Sequence, residues 1–109
     1  MEIIETRTGN TVQLSLTGDL DIYGVAEVYA RVSQGLDEAD GLVLDLSAVD
    51  NIDGAGLQLL MAGKREAERG GKSLQLSQHS PCVIEAIELC QLERFFGDPL
   101  VLRPVGGRR

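Results

Sequence analysis

The run from Leu42 to Leu57, Leu-Val-Leu-Asp-Leu-Ser-Ala-Val-Asp-Asn-Ile-Asp-Gly-Ala-Gly-Leu, constrains the fold more than any other part of the chain. Leu42, Val43, Leu44 and Leu46 make a nearly continuous apolar run, the pattern of a strand covered on both faces or nearly so. After a short polar turn, apolar residues recur at helical spacing through Leu57, Leu60, Met61 and Ala67. Asp53 stands where an N-cap is needed, its carboxylate placed to accept N–H groups of the first helical turn. Gly54 and Gly56 fall inside that turn and lower its helix propensity, so something other than local stability favours them. Two readings stay open: relief of crowding where the helix meets the sheet, or a surface small enough for a partner to approach the backbone.

The flanking segments extend this strand–turn–helix unit. Glu2 to Thr6 and Thr11 to Thr17 read as strands joined by Gly9-Asn10, a two-residue hairpin connection. In the second, Val12, Leu14 and Leu16 alternate with Gln13, Ser15 and Thr17. Gly18-Asp19-Leu20-Asp21 is predicted to be a turn into a helix over Ile22 to Leu36, with a stripe of Val25, Val28, Tyr29 and Val32 and an exposed Glu27–Arg31 pair. Gly35 and Gly41 flank an acidic stretch, Asp37 to Asp40, expected to be a solvated loop. The helix after Asp53 is expected to stop at Gly70-Gly71, followed by a strand over Lys72 to Ser77. Ser80-Pro81 starts a further helix that turns Val83, Ile84, Ile87 and Cys90 inward, and Leu92, Phe95 and Phe96 close the core. Gly97-Asp98-Pro99 ends it, a short edge strand is expected over Leu100 to Val105, and residues 106–109 are expected to be a disordered tail. The order β-β-α-β-α-β-α predicts an α/β fold. Its four- to five-stranded mixed sheet has parallel strands after an antiparallel N-terminal hairpin, in one domain over residues 1–105.

Composition narrows the function classes. A formal net charge of −7 argues against nucleic acid as a ligand. No segment approaches the ~18 apolar residues of a membrane span, and no signal peptide is visible. Cys82 and Cys90 are separated by roughly 12 Å of helix rise, too far for a mutual disulfide, which fits a reducing cytoplasm. Asp19, Asp21, Asp50 and Asp53 all sit at strand-to-helix turns and are expected to gather at one end of the sheet as caps and partner contacts. A metal or acid–base centre would want converging ligands, yet no histidine, cysteine or lysine accompanies them in sequence. Asp45 ends a central strand as a phosphoacceptor would, but the acidic pair such chemistry needs after the first strand is missing, so it is expected to bond backbone below it. His79 reads as a solvated loop residue, and no phosphate-binding glycine loop or dinucleotide fingerprint is present. No enzyme, cofactor or metal is expected.

Asp45-Leu46-Ser47, then Ile52-Asp53-Gly54-Ala55-Gly56-Leu57, resembles the signature of the STAS domain, the fold of bacterial anti-sigma-factor antagonists. The resemblance runs from about Ile3 to Phe96 and includes Gly18-Asp19-Leu20-Asp21. It implies a cytoplasmic, non-catalytic regulator that switches between protein partners, either an anti-sigma-type kinase or, as the alternative, a chemotaxis-type signalling or lipid-transport complex in which it is an adaptor. In regulated family members a hydroxyl in this loop is phosphorylated. Here Gly54 and Ala55 occupy both phosphosite-equivalent positions, which implies a permanently unphosphorylated form. The partner-binding surface implied by the resemblance comprises Asp19, Asp21, Asn51, Asp53, Gly54, Ala55, Gly56 and Leu57. Whether the chain also forms a homodimer stays open.

Overall fold

The hairpin forms as its turn residues require. The computed structural model describes residues 1–97. In it β1 (Glu2–Thr8) runs antiparallel to β2 (Thr11–Leu20), in register from Thr8 opposite Thr11 to Glu2 opposite Thr17. Gly9 takes φ +61° while Asn10 does not enter the positive region, the pattern of a type II′ turn. There follow α1 (Val25–Glu38), β3 (Gly41–Ile52), α2 (Gly54–Arg69), β4 (Ser73–Ser77), α3 (Pro81–Leu89) and α4 (Glu93–Phe96). The sheet order is β1-β2-β3-β4, with β2, β3 and β4 mutually parallel. The expected α/β architecture with a mixed sheet is therefore present, with four strands among the described residues. The expected edge strand at Leu100 to Val105 and the expected tail lie outside the described residues.

The core is built on one face of the sheet. Val12, Leu14 and Leu16, Leu42, Leu44 and Leu46, and Leu74 and Leu76 are all buried, in one cluster with Val28, Val32 and Leu36 of α1 and Leu60 and Ala67 of α2. Along Leu42 to Leu46, β3 is nearly covered on both faces, as expected, with the second face the wetter one. Val43 and Asp45 are only half-buried, as are Gln13 and Ser15 beside them, while Gln75 and Ile4 are exposed. A parallel strand whose second face is partly wet must alternate, and β3 does so.

β2 and β3 both outrun their expected ends. Gly18 to Leu20 is strand rather than turn, and Ser47 to Ile52 continues β3, with Leu20 paired to Ile52. Between Ser15 and Thr17, and again between Gly18 and Asp19, β3 advances by one residue more than β2. Such irregularities interrupt the period-two pattern, which is why Ser47-Ala48-Val49-Asp50 reads as a turn in the sequence. At the first of them Asp45 Oδ1 accepts the Ser47 N–H at 2.9 Å, so the carboxylate bonds local backbone as expected. Beyond β4, which pairs only with Gly41 to Asp45, α3 takes the place beside β3, and the Cys82 thiol donates to the Val49 carbonyl at 3.4 Å.

The helices differ from expectation in instructive places. Residues 22–24 form a turn, with the Gly24 N–H donating to Asp21 O at 2.9 Å, so α1 starts only at Val25. The acidic Asp37-Glu38 is helical rather than loop, and Gly35 lies within the helix as expected. A Cβ on Gly35 would lie 2.6 Å from Leu42 Cδ1, so the missing side chain lets α1 cross close above β3. Arg31 pairs with Glu5 at 3.2 Å instead of the expected Glu27, and Arg7 bonds both Glu5 and Glu38. The two guanidiniums hold the Glu5 carboxyl below its ordinary range, and Arg7 does the same for Glu38. His79, expected in solvent, is fully buried, because Gln78 takes φ 54° and breaks the strand's alternation just before it. Cys90, expected inside, is exposed: α3 ends at Leu89, and the inward face is carried by Val83 and Ile87 one turn apart. Phe96 is buried and meets Phe95 edge-on, with centroids 5.2 Å apart.

These placements separate two residues of one helix. Ile87→Ala is expected to cost ~2–5 kcal/mol by urea denaturation, whereas Cys90→Ser stays within ~0.5 kcal/mol of the parent. Equal losses would contradict the assignment of α3's inner face.

Candidate functional site

The site is assembled at the ends of β2 and β3, where both strands hand over to helices. Asp53 has an extended backbone (φ −113°, ψ −173°), and its Oδ1 accepts the Gly56 N–H at 2.9 Å, the expected N-cap. Its Oδ2 accepts the Ile22 N–H at 3.2 Å, from the turn before α1. One carboxylate therefore satisfies donors from two segments distant in sequence, and the Asp53 N–H donates in turn to Leu20 O at 3.4 Å. Opposite it, Asn51 Nδ2 donates to Asp19 Oδ1 at 3.0 Å, and Asp21 Oδ1 accepts the Tyr23 N–H at the same distance.

The two readings of the glycines divide between them. A Cβ on Gly56 would stand 2.2 Å from the Leu20 carbonyl oxygen and 2.8 Å from Ile52 Cγ1, so Gly56 relieves crowding between helix and sheet. Gly54 has nothing within 4 Å of its Cβ position and is exposed, so the fold places no such demand on it. Among the residues implied by the signature, Asp19, Asn51, Asp53 and Gly54 are exposed at one rim, and Asp21 and Ala55 are partly so. Gly56 and Leu57 are buried beneath them, Leu57 belonging to the core.

The four aspartates gather at one end of the sheet, as expected, but they do not share one environment. Asp19, Asp21 and Asp50 line a cavity of about 470 Å³ together with Tyr23, Gly24 and Glu27, while Asp53 is turned to backbone amides. Among the described residues no group of histidine, cysteine or acidic side chains is arranged to hold a metal ion, and no helix is long and apolar enough to cross a membrane.

Sequence reasoning missed a second element of the site. A groove of about 490 Å³ runs between α1 and α2, lined by Val25, Ala26, Tyr29, Ala55, Gln58, Leu59 and Ala62. Tyr29, assigned to the buried stripe, instead lends its ring to this groove and donates its hydroxyl to Glu66, whose carboxylate raises the phenol's pKa. Ile22 and Tyr23, in the turn before α1, are 65% and 94% exposed. The available signal was the alanines Ala26, Ala55 and Ala62, small residues that leave a trough where larger ones would fill it.

A family model described as "Mlab, STAS domain" matches residues 3–103. Among solved structures, a putative anti-sigma factor antagonist from Thermotoga maritima is 19% identical, with a TM-score of 0.80 over 91% of this chain and 86% of that one. An anti-sigma factor antagonist from Mycobacterium paratuberculosis is 20% identical, with a TM-score of 0.78 over 93% and 86%. The anti-sigma factor antagonist SpoIIAA in its unphosphorylated form is 20% identical, with a TM-score of 0.74 over 91% and 89%. At these identities the likeness is one of fold.

Substitution at the helix entrance distinguishes the two glycines. Gly54→Ala is expected to raise stability by ~0.5–1 kcal/mol, since alanine favours the helix and meets nothing there. Gly56→Ala is expected to lower it by ~2 kcal/mol or more, because the overlap is with backbone. Chemical denaturation of both variants checks the pair, and a destabilising Gly54→Ala would refute the open-space assignment.

Proposed function

The chain belongs to the STAS domain family, and from that premise we propose that it is a cytoplasmic, non-catalytic regulatory module that works by binding another protein. The single observation that carries this reading is the bare entrance of α2. Gly54 is exposed with open space around it, on a rim shared with Asp19, Asn51 and Asp53, where a partner can come close to the backbone. The structural neighbours that are themselves anti-sigma factor antagonists support a role of this kind. The partner on this reading is an anti-sigma-type kinase.

Regulation would differ from that of a phosphorylated relative. A phosphate on a hydroxyl in the first turn of α2 would sit among free N–H groups at the positive end of the helix dipole, and would add about −1.5 to −2 charges where a partner docks. Gly54 and Ala55 offer no hydroxyl, so engagement is constitutive. That same absence favours a second reading, in which the chain is an adaptor that holds a signalling or lipid-transport complex together without a phosphorylation cycle.

Affinity capture of the tagged chain from its native host tests the reading. The parent is expected to retain a specific protein, and Gly54→Glu to lose it at least tenfold while keeping its thermal midpoint. Retention by Gly54→Glu would remove this rim from the interface. With the captured kinase and ATP, the parent is expected to take no phosphate from Ser47 to Leu60 and Ala55→Ser to take it at the new hydroxyl. Phosphate on Ser47 would overturn the constitutive reading, and an inert Ala55→Ser would select the adaptor.

A further inference from the structure

The groove between α1 and α2 and the acidic cavity meet at the first turn of α1, where Val25 and Ala26 line the one and Gly24 and Glu27 the other. No lysine or arginine side chain lines either, and the acidic cavity, which Met1 also lines, holds four carboxylates against at most the one terminal ammonium. The basic side chains Arg7 and Arg31 are engaged with Glu5 and Glu38, and Lys72 donates to the Leu36 carbonyl. The surface thus pairs an apolar trough with a negative pole at one end of it.

We propose that this groove receives a helix of the partner protein, apolar along one face, which carries an arginine or lysine beyond its apolar run and sets that cation among Asp19, Asp21, Glu27 and Asp50. The inference rests on the partner-binding reading above and adds what the partner presents. The occupant is helical because both walls of the groove are helices, whose backbone groups are already paired and offer nothing to an extended peptide. Ala26, Ala55 and Ala62 leave room for a third helix to seat its side chains between the other two. The cation follows from desolvation: Asp19 and Asp21 each accept one hydrogen bond within the chain, but covering the remaining acceptor sites of the four carboxylates with a neutral or acidic segment strips their water without return, whereas a guanidinium or ammonium offsets the loss and steers the encounter.

The experiment replaces Ala62 with the photo-crosslinker p-benzoylphenylalanine in the full chain, irradiates the native host, and sequences the crosslinked segment by mass spectrometry. Expected is a segment of another protein with apolar residues at i, i+3, i+4 and i+7 and a lysine or arginine within two turns. Crosslinks to an acidic or extended segment, to a second copy of the chain or to lipid overturn the proposal. Alongside, Ala62→Glu is expected to weaken capture at least tenfold with an unchanged circular dichroism spectrum. The double variant Glu27→Gln, Asp50→Asn is expected to bind about fivefold more weakly at low salt and to converge with the parent near 0.5 M salt. Capture that Gly54→Glu abolishes but Ala62→Glu and the double variant leave intact overturns the groove proposal alone. Failure of the parent to capture any protein overturns the partner-binding reading beneath it.

Discussion

The contact on which the rest depends is the seating of α2's first turn against the end of β2. Gly56 lies so close to the Leu20 carbonyl that any side chain there would collide with backbone, and Asp53 holds the approach by accepting N–H groups from Gly56 and Ile22. The carboxylate joins the start of α2 to the turn before α1, two segments that a sheet alone would leave independent. Both walls of the groove, and the rim at their ends, take their positions from that junction.

Much of this was legible in the sequence. The N-cap at Asp53, the hairpin at Gly9-Asn10, the stop at Gly70 and the start at Ser80-Pro81 are local devices, each set by residues within a turn of one another, and each is where the pattern placed it. What was not legible is what depends on distant neighbours. The irregular pairing that carries β3 through Ser47 to Ile52 exists because β2 runs alongside, and the polar residues there look like a turn in isolation. The close crossing of α1 over Leu42 at Gly35 needs both elements in place, and the burial of His79 follows from the backbone at Gln78.

The candidate site divides the same way. Its acidic and glycine residues were identifiable by type and spacing, but their roles were not. Of two glycines separated by one alanine, one answers to packing and the other does not. Of four aspartates, three line a cavity and the fourth faces amides. The trough along Tyr29 and Leu59 was invisible because it is made of two helices that the chain writes separately, and alanine carries little periodic signal.

The empty space around Gly54 has an evolutionary corollary. A lineage can acquire or shed a modifiable side chain there without disturbing the scaffold, since nothing in the architecture answers to what that position holds. Two residues later the same exchange would dismantle the junction. What the surface presents at Gly54 and what the fold requires at Gly56 are thus set independently, two residues apart.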